Sequence, residues 1–222
     1  MKTNSELQLD VQNAILWEPL LNAAEIGVTA KDGVISLTGV VDSYAKKKEA
    51  EAAAKRVKGV KAIVENIEVH FPHSWQKSDF DIANAVLHAF KSNWTIPADK
   101  VAVKVENGWV TLEGELHWNY QREAAKNAVR FLTGVVGVVD LIKIKAEIKQ
   151  ALEKKDVEDA LERSWSIDTT NVHVAVSGTT VALSGSVNSW FQKEEAERIA
   201  WNTPGIFHVY NELTVDREYA LN

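Results

Sequence analysis

The chain has 222 residues, 45% hydrophobic and 25% charged, with a formal net charge of −6 and no cysteine. Such a composition belongs to an ordinary soluble globular protein; it excludes disulfides and thiolate metal sites, and its acidic balance argues against a general nucleic-acid binder, which is usually basic. No apolar run approaches the roughly 18 residues of a membrane span, and the opening Met1–Asp10 lacks the apolar core of a signal peptide, so the expected location is cytoplasmic or membrane-peripheral, with the periplasm as the alternative if a leader has been removed.

In chain order, Val11, Ala14 and Ile15 predict an amphipathic helix, with Pro19 beyond it. Ile26, Val28 and Ala30 then alternate as a half-buried strand, Lys31-Asp32-Gly33 turns the chain, and Ile35 and Leu37 continue the alternation in a hairpin partner. After Gly39 the period becomes helical, with Ala50, Ala53, Ala54 and Val57 at i, i+3, i+4 and i+7. Small residues on that stripe let the helix approach the sheet closely, and Gly59 reads as its left-handed C′ residue. A last strand at 60–69 returns across the helix, which requires a crossover and makes the sheet mixed.

The same order recurs twice. A helix carrying Ile82, Val86 and Phe90, with Pro97 beyond, precedes strands on Val101, Val103, Val105 and on Val110, Leu112, joined by Glu106-Asn107-Gly108. Ala125, Ala128, Val129 and Leu132 form the next helical stripe, followed by Gly134 and a strand at 135–144. The third pass runs through Val157, Ala160, Leu161 and Trp165, then Val172, Val174, Val176, then Val181 and Leu183. It ends with the stripe Ala196, Ile199, Ala200, Thr203, then Pro204-Gly205 and a strand at 206–215. The brackets Gly33 to Gly39 and Gly108 to Gly114 match Thr179 to Gly185, where the turn glycine shifts to Gly178 and implies a different turn; in each copy a glycine follows 20 residues after the second bracket, at Gly59, Gly134 and Gly205. The predicted fold is α+β: three tandem α-β-β-α-β domains at 1–70, 76–146 and 150–217, each a three-stranded mixed sheet with two helices on one face. Residues 70–78 read as a loop, whereas the helix formers in 145–155 are expected to extend the third domain's first helix backwards.

Two features suggest a contact surface. Lys46, Lys47, Lys48, Lys55, Arg56, Lys58 and Lys61 against Glu49 and Glu51 place seven positive and two negative charges in 16 residues, a density that attracts anionic headgroups; the competing interpretation is a solvated helix face. Tyr44, Trp118, Tyr120, Trp190 and Phe191 gather where the second strand meets the second helix, either as staples fixing the helix entry or as a shared membrane or partner surface. Trp17 and Trp165, near the ends of first helices, are expected in the core or between domains. His70 and His73 have no third ligand nearby, so no metal or cofactor is expected. No acid, base or nucleophile recurs among the copies, and no phosphate-cradling loop or nucleophile elbow is present, so the protein is not expected to be an enzyme.

The Gly-x-Val-x-Leu-x-Gly segment, the Ala-rich helix, Gly-Val and a strand ending Asn-x-(apolar)-x-Val resemble the BON domain, named for bacterial osmotic-stress and nodulation proteins. Gly33, Gly39, Gly59, Gly108, Gly114, Gly134, Gly185 and Gly205 carry the resemblance; Thr179 and Asp140 depart from it. It implies an α-β-β-α-β module of bacterial origin that binds phospholipid or supports the envelope under osmotic stress, without catalysis. The expected partner is therefore anionic phospholipid, led by the basic helix, with weak sites on linked copies adding through effective concentration. The alternative is a protein-interaction or self-assembly module that binds another envelope or stress protein or forms a homo-oligomer.

Overall fold

The protein is described by a computed structural model covering residues 2–145, 154–164, 166–167, 169–203 and 205–215. Its elements are α1 (Asn4–Leu16), β1 (Ile26–Lys31), β2 (Val34–Val41), α2 (Tyr44–Arg56) and β3 (Ala62–Val69). The second repeat contributes α3 (Asp79–Ser92), β4 (Val101–Glu106), β5 (Trp109–Leu116), α4 (Asn119–Arg130) and β6 (Gly137–Ile144). The third has α5 (Lys154–Glu162), β7 (Val172–Ser177), β8 (Thr180–Val187), α6 (Trp190–Trp201), β9 (His208–Asn211) and β10 (Thr214–Val215). By contact the chain divides into two units, one drawn from residues 1–39, 49–67 and 148–222, the other from 40–48 and 68–147.

The three sheets share one plan, as the repeats predict. Each middle strand lies between the other two, in the orders β1-β2-β3 and β4-β5-β6, with β8 flanked by β7 and by β9 and β10. β4 and β5 are antiparallel while β6 joins β5 in parallel, the mixed pairing demanded by the helical crossover. β9 and β10 keep one offset against β8, from Thr180↔His208 to Val187↔Val215, and are two segments of a single strand.

The hairpin loops explain the shifted glycine. Asp32-Gly33 and Asn107-Gly108 are two-residue loops with positive φ at both positions (52° and 87°; 50° and 77°), the type I′ pattern. In Gly178-Thr179 only Gly178 is positive, at 61°, which is the type II′ demand for glycine in first place. What position 33 does in every copy is offer its carbonyl to the third strand: Lys61 N–H reaches Gly33 O at 2.8 Å, Val136 N–H reaches Gly108 O at 3.0 Å and Phe207 N–H reaches Thr179 O at 2.8 Å. A threonine performs that task as well as a glycine.

The second bracket glycine has no substitute. Gly39, Gly114 and Gly185 face the first residue of the preceding strand, and a Cβ there would lie 2.0, 2.1 and 1.9 Å from the carbonyl oxygens of Glu25, Lys100 and Asn171. The later glycines differ from expectation. α2 stops at Arg56, and Gly59 sits inside a further turn closed by Val60 N–H to Val57 O; Gly134 occupies the same place between Leu132 and Val135. The helices end in tighter i→i−3 bonds (Val57 to Ala54, Leu132 to Val129), which moves the left-handed residue past the C′ position.

First helices bury a stripe four residues apart: Leu7, Val11 and Ile15; Ile82, Val86 and Phe90; Val157 and Leu161. Second helices bury mainly alanines: Ala50, Ala53 and Ala54 in the first, Ala125 beside Val129 in the second, Ala196 and Ala200 in the third. Facing them are the inward residues of the middle strands, Ile35 and Leu37, Val110 and Leu112, Val181 and Leu183, all without exposed surface. Trp17 corrects the expectation of a packing role: it follows the end of α1 and is 82% exposed. Trp165, Pro204 and the expected helical extension over 146–153 lie outside the described residues.

Candidate functional site

The basic stretch of α2 is compensated from elsewhere in the chain. Lys46 Nζ pairs with Asp42 at 2.8 Å, and Arg56 pairs with Glu18 and, at 3.3 Å, with Glu49. Lys55 Nζ contacts Glu51 at 2.7 Å and Glu194 at 2.6 Å, and lies 5.7 Å from the Trp190 ring centre. Burial pushes the Lys55 ammonium towards deprotonation, but its hydrogen bonds to Glu194 and Glu51 outweigh that and raise its pKa. Lys46, Lys47 and Lys48 are half-buried, whereas Lys58 and Lys61 are exposed. Three of the compensating acids, Asp42, Glu18 and Glu194, lie outside the 46–61 window, so a local charge count overstates the free positive field.

The corner aromatics do not act alike. Tyr44 is half-buried against the core of the second repeat, and Arg130 of α4 donates to the nearby Ala45 carbonyl at 3.4 Å. Trp118 and Tyr120 stack with ring centres 6.5 Å apart, while the Trp118 backbone N–H meets Gln121 Oε1 at 3.2 Å at the start of α4. Trp190 is half-buried beneath Lys55, and Phe191 is 38% exposed. Asn119, in register with Tyr44 and Trp190, is buried, and its Oδ1 has no hydrogen-bond partner.

One recurrent polar position is only partly legible in the sequence, as the asparagine of the strand-end motif with Asp140 as a departure, because its residue type varies. Glu65, Asp140 and Asn211 occupy equivalent places on the third strands, and each side-chain oxygen accepts the N–H two residues on, from Ile67, Ile142 and Leu213 at 2.7, 3.1 and 3.3 Å. Asp140 also faces Arg122 and Lys126 of α4 at 3.8 and 3.7 Å, and Asn211 donates to Lys193 O at 2.8 Å and Glu197 at 3.1 Å. In the second and third repeats this is a helix-to-strand tie, and in all three copies one side-chain oxygen is spent on a backbone amide. Among the described residues no group of three or more His, Cys, Asp or Glu side chains has metal-binding geometry, and no helix is long and apolar enough to cross a membrane.

The first helices carry the feature that sequence reading missed most plainly. Phe80 and Leu87, seven residues apart on α3, point away from the buried Ile82, Val86 and Phe90 and are 75% and 42% exposed. Trp94, two residues beyond the helix end, is 92% exposed, and exposed Lys91 lies on the same helical face as Phe80 and Leu87. The acids at the head of α3 are turned to other work: Asp79 accepts from Asn107 and Gly108 N–H at 2.8 and 2.9 Å, and Asp81 completes the Ser78 capping box. In the first repeat Leu9, Leu16, Trp17 and Leu20 are similarly exposed at 57, 65, 82 and 45%. The seven-residue spacing opposite a buried stripe was the available signal.

The profile of the BON domain matches residues 3–70, 78–146 and 148–217. "Osmotically-inducible protein Y" of Escherichia coli (strain K12) is 24% identical over 146 residues, covering 64% of this chain and 73% of that protein. Among solved structures, the C-terminal domain of CdsD, the structural protein of the Type III secretion system of Chlamydia trachomatis, aligns at 16% identity over 97% of this chain and 100% of its own, with a TM-score of 0.26. A second CdsD structure aligns at 16% identity over 92% and 90% of the two chains, with a TM-score of 0.25.

Proposed function

The chain belongs to the BON domain family, as three tandem copies, and from that premise we propose that it is a non-catalytic, osmotic-stress-related binding protein that associates peripherally with anionic phospholipid surfaces. The stress context rests on the likeness to the osmotically inducible E. coli protein. Absence of catalysis is supported by what recurs among the copies: backbone-shaping glycines, core residues and a polar tie already committed to main-chain amides.

The observation that carries the lipid reading is the exposure of Phe80 and Leu87 on one face of α3, with Lys91 on the same face, and of Trp94 just beyond the helix end. Monomeric proteins seldom leave aligned large apolar side chains in water without use. An indole suits the headgroup boundary, and each basic residue near an anionic surface adds about 1 kcal/mol. Exposed Lys58 and Lys61 supply a second weak contact, and linkage lets weak contacts add.

Co-sedimentation with phosphatidylglycerol and phosphatidylcholine vesicles tests the reading. Binding is expected to phosphatidylglycerol only, to weaken as salt rises from about 20 to about 500 mM, and to fall sharply in Phe80→Ser/Trp94→Ser. Folded wild-type protein that stays in the supernatant at low salt overturns it. A second reading, self-association or capture of another protein, is favoured by the outer face of the second sheet, where Trp109, Val139 and Leu141 are 49, 38 and 51% exposed; light scattering that reports a defined oligomer would select it.

A further inference from the structure

The contact of Lys55 with the third repeat has a construction that neither lipid binding nor self-association uses. Lys55 stands near the end of α2, its side chain only 14% exposed, and its ammonium is shared by two carboxylates from different repeats: Glu51, one turn back on the same helix, and Glu194 on α6. Trp190, at the head of α6, lies under the same ammonium with its ring centre 5.7 Å away. We propose that Lys55 is the bolt of a salt-sensitive clasp fastening α2 of the first repeat to α6 of the third, closed at low ionic strength and released as ionic strength rises.

Three features of the contact favour a clasp over permanent glue. Glu51 remains paired with Lys55 after release, so opening never strands an ammonium without a partner. Glu194 is 50% exposed, so its carboxylate passes to water with little penalty and dissolved ions reach it while the clasp is shut. A fully buried pair would resist screening, whereas this one meets solvent along one side. Closing adds one carboxylate and one ring face to the surroundings of this ammonium, and a charge-assisted contact of that kind is the size of term that screening shifts by severalfold. The Arg56 pairs with Glu18 and Glu49 stay inside the first repeat and do not have this property.

The chain contains no cysteine, so Lys58→Cys/Glu212→Cys, at two exposed positions of the first and third repeats, carries a pair of spin labels without background. Double electron–electron resonance on the full chain is expected to give one narrow distance at about 20 mM KCl and at least a fivefold gain in a longer, broad component at about 1 M KCl. Adding Glu194→Gln should produce that broad component already at low salt, with little further response. The exchange Lys55→Glu/Glu194→Lys should restore the narrow distance, because the ammonium moved to α6 then meets both Glu51 and the acid introduced at position 55. Circular dichroism establishes that each variant is folded. Distributions that coincide at both salt concentrations, or a Glu194→Gln distribution identical to the parent at low salt, overturn the proposal; lipid binding can fail independently of either outcome.

Discussion

Replacing Gly185 and Gly178 by alanine, one at a time, separates two reasons for a glycine within a single repeat. Both have positive φ, 106° and 61°. For an L-residue that conformation costs about 1–2 kcal/mol, offset by about 0.4–1 kcal/mol from a stiffer unfolded chain. At Gly178 nothing lies within 4 Å of a new Cβ, so Gly178→Ala is expected to cost about 1 kcal/mol or less. At Gly185 the Cβ would stand 1.9 Å from Asn171 O, where a comfortable carbon–oxygen approach is about 3.3 Å. The strands must part by more than an ångström at Val172↔Gly185, taking with them the bond from Ser186 N–H to Asn171 O at 3.0 Å. Losing that bond and leaving a carbonyl poorly satisfied brings the total to about 3–5 kcal/mol. Because a three-repeat chain need not unfold in one step, amide exchange of β7 and β8 under native conditions is the appropriate measurement, with urea unfolding as support. Equal loss of protection in the two variants would refute the close-approach argument.

The two aromatic faces of α3 should respond oppositely to truncation: Phe90→Ala, which empties a fully buried site, is expected to cost about 3–5 kcal/mol, and Phe80→Ala within about 0.5 kcal/mol of zero in the same urea titration. Acid should loosen α1 through its cap. The Thr3 backbone N–H, then the Thr3 hydroxyl, hold the Glu6 carboxyl below its ordinary value of 4.5. A depressed folded pKa stabilises above the unfolded value and is lost as pH falls through the folded one; the Tm gap between wild type and Glu6→Gln should stay constant from about pH 7 to 5 and close below about pH 4.

The fold is legible because three copies vote on each position. The alternation of Val101, Val103 and Val105, the alanines of the second helices and the hairpin turns all reflect local geometry that one stretch of chain specifies, and the displaced Gly178 even announces its change of turn. Local pattern places Gly59 at the C′ position, whereas the helix has already tightened and ended at Arg56 and Gly59 lies one residue further on, inside the next turn. The candidate site is less legible. The charge of α2 is answered by Glu18, Asp42 and Glu194, the last 139 positions from its partner, and pairing at that separation exists only once the repeats are folded. Trp17 misleads because its hydrophobicity argues for packing while its place beyond the helix end argues for solvent. The polar tie at Glu65, Asp140 and Asn211 is only half legible: the motif marks an asparagine and shows Asp140 as a departure, but the shared geometric act, accepting the amide two residues ahead, runs through three different side chains.

That tie has a consequence for anyone rebuilding this protein from its parts. Asp140 answers cations on α4, whereas Asn211 answers a carbonyl and a carboxylate on α6. The crossover helices of the second and third repeats are thus keyed to the strands that follow them, with locks that do not interchange. Chimeras that transplant such a helix alone would set like charge against like or leave an amide unanswered; those that move helix and strand as one cassette should assemble.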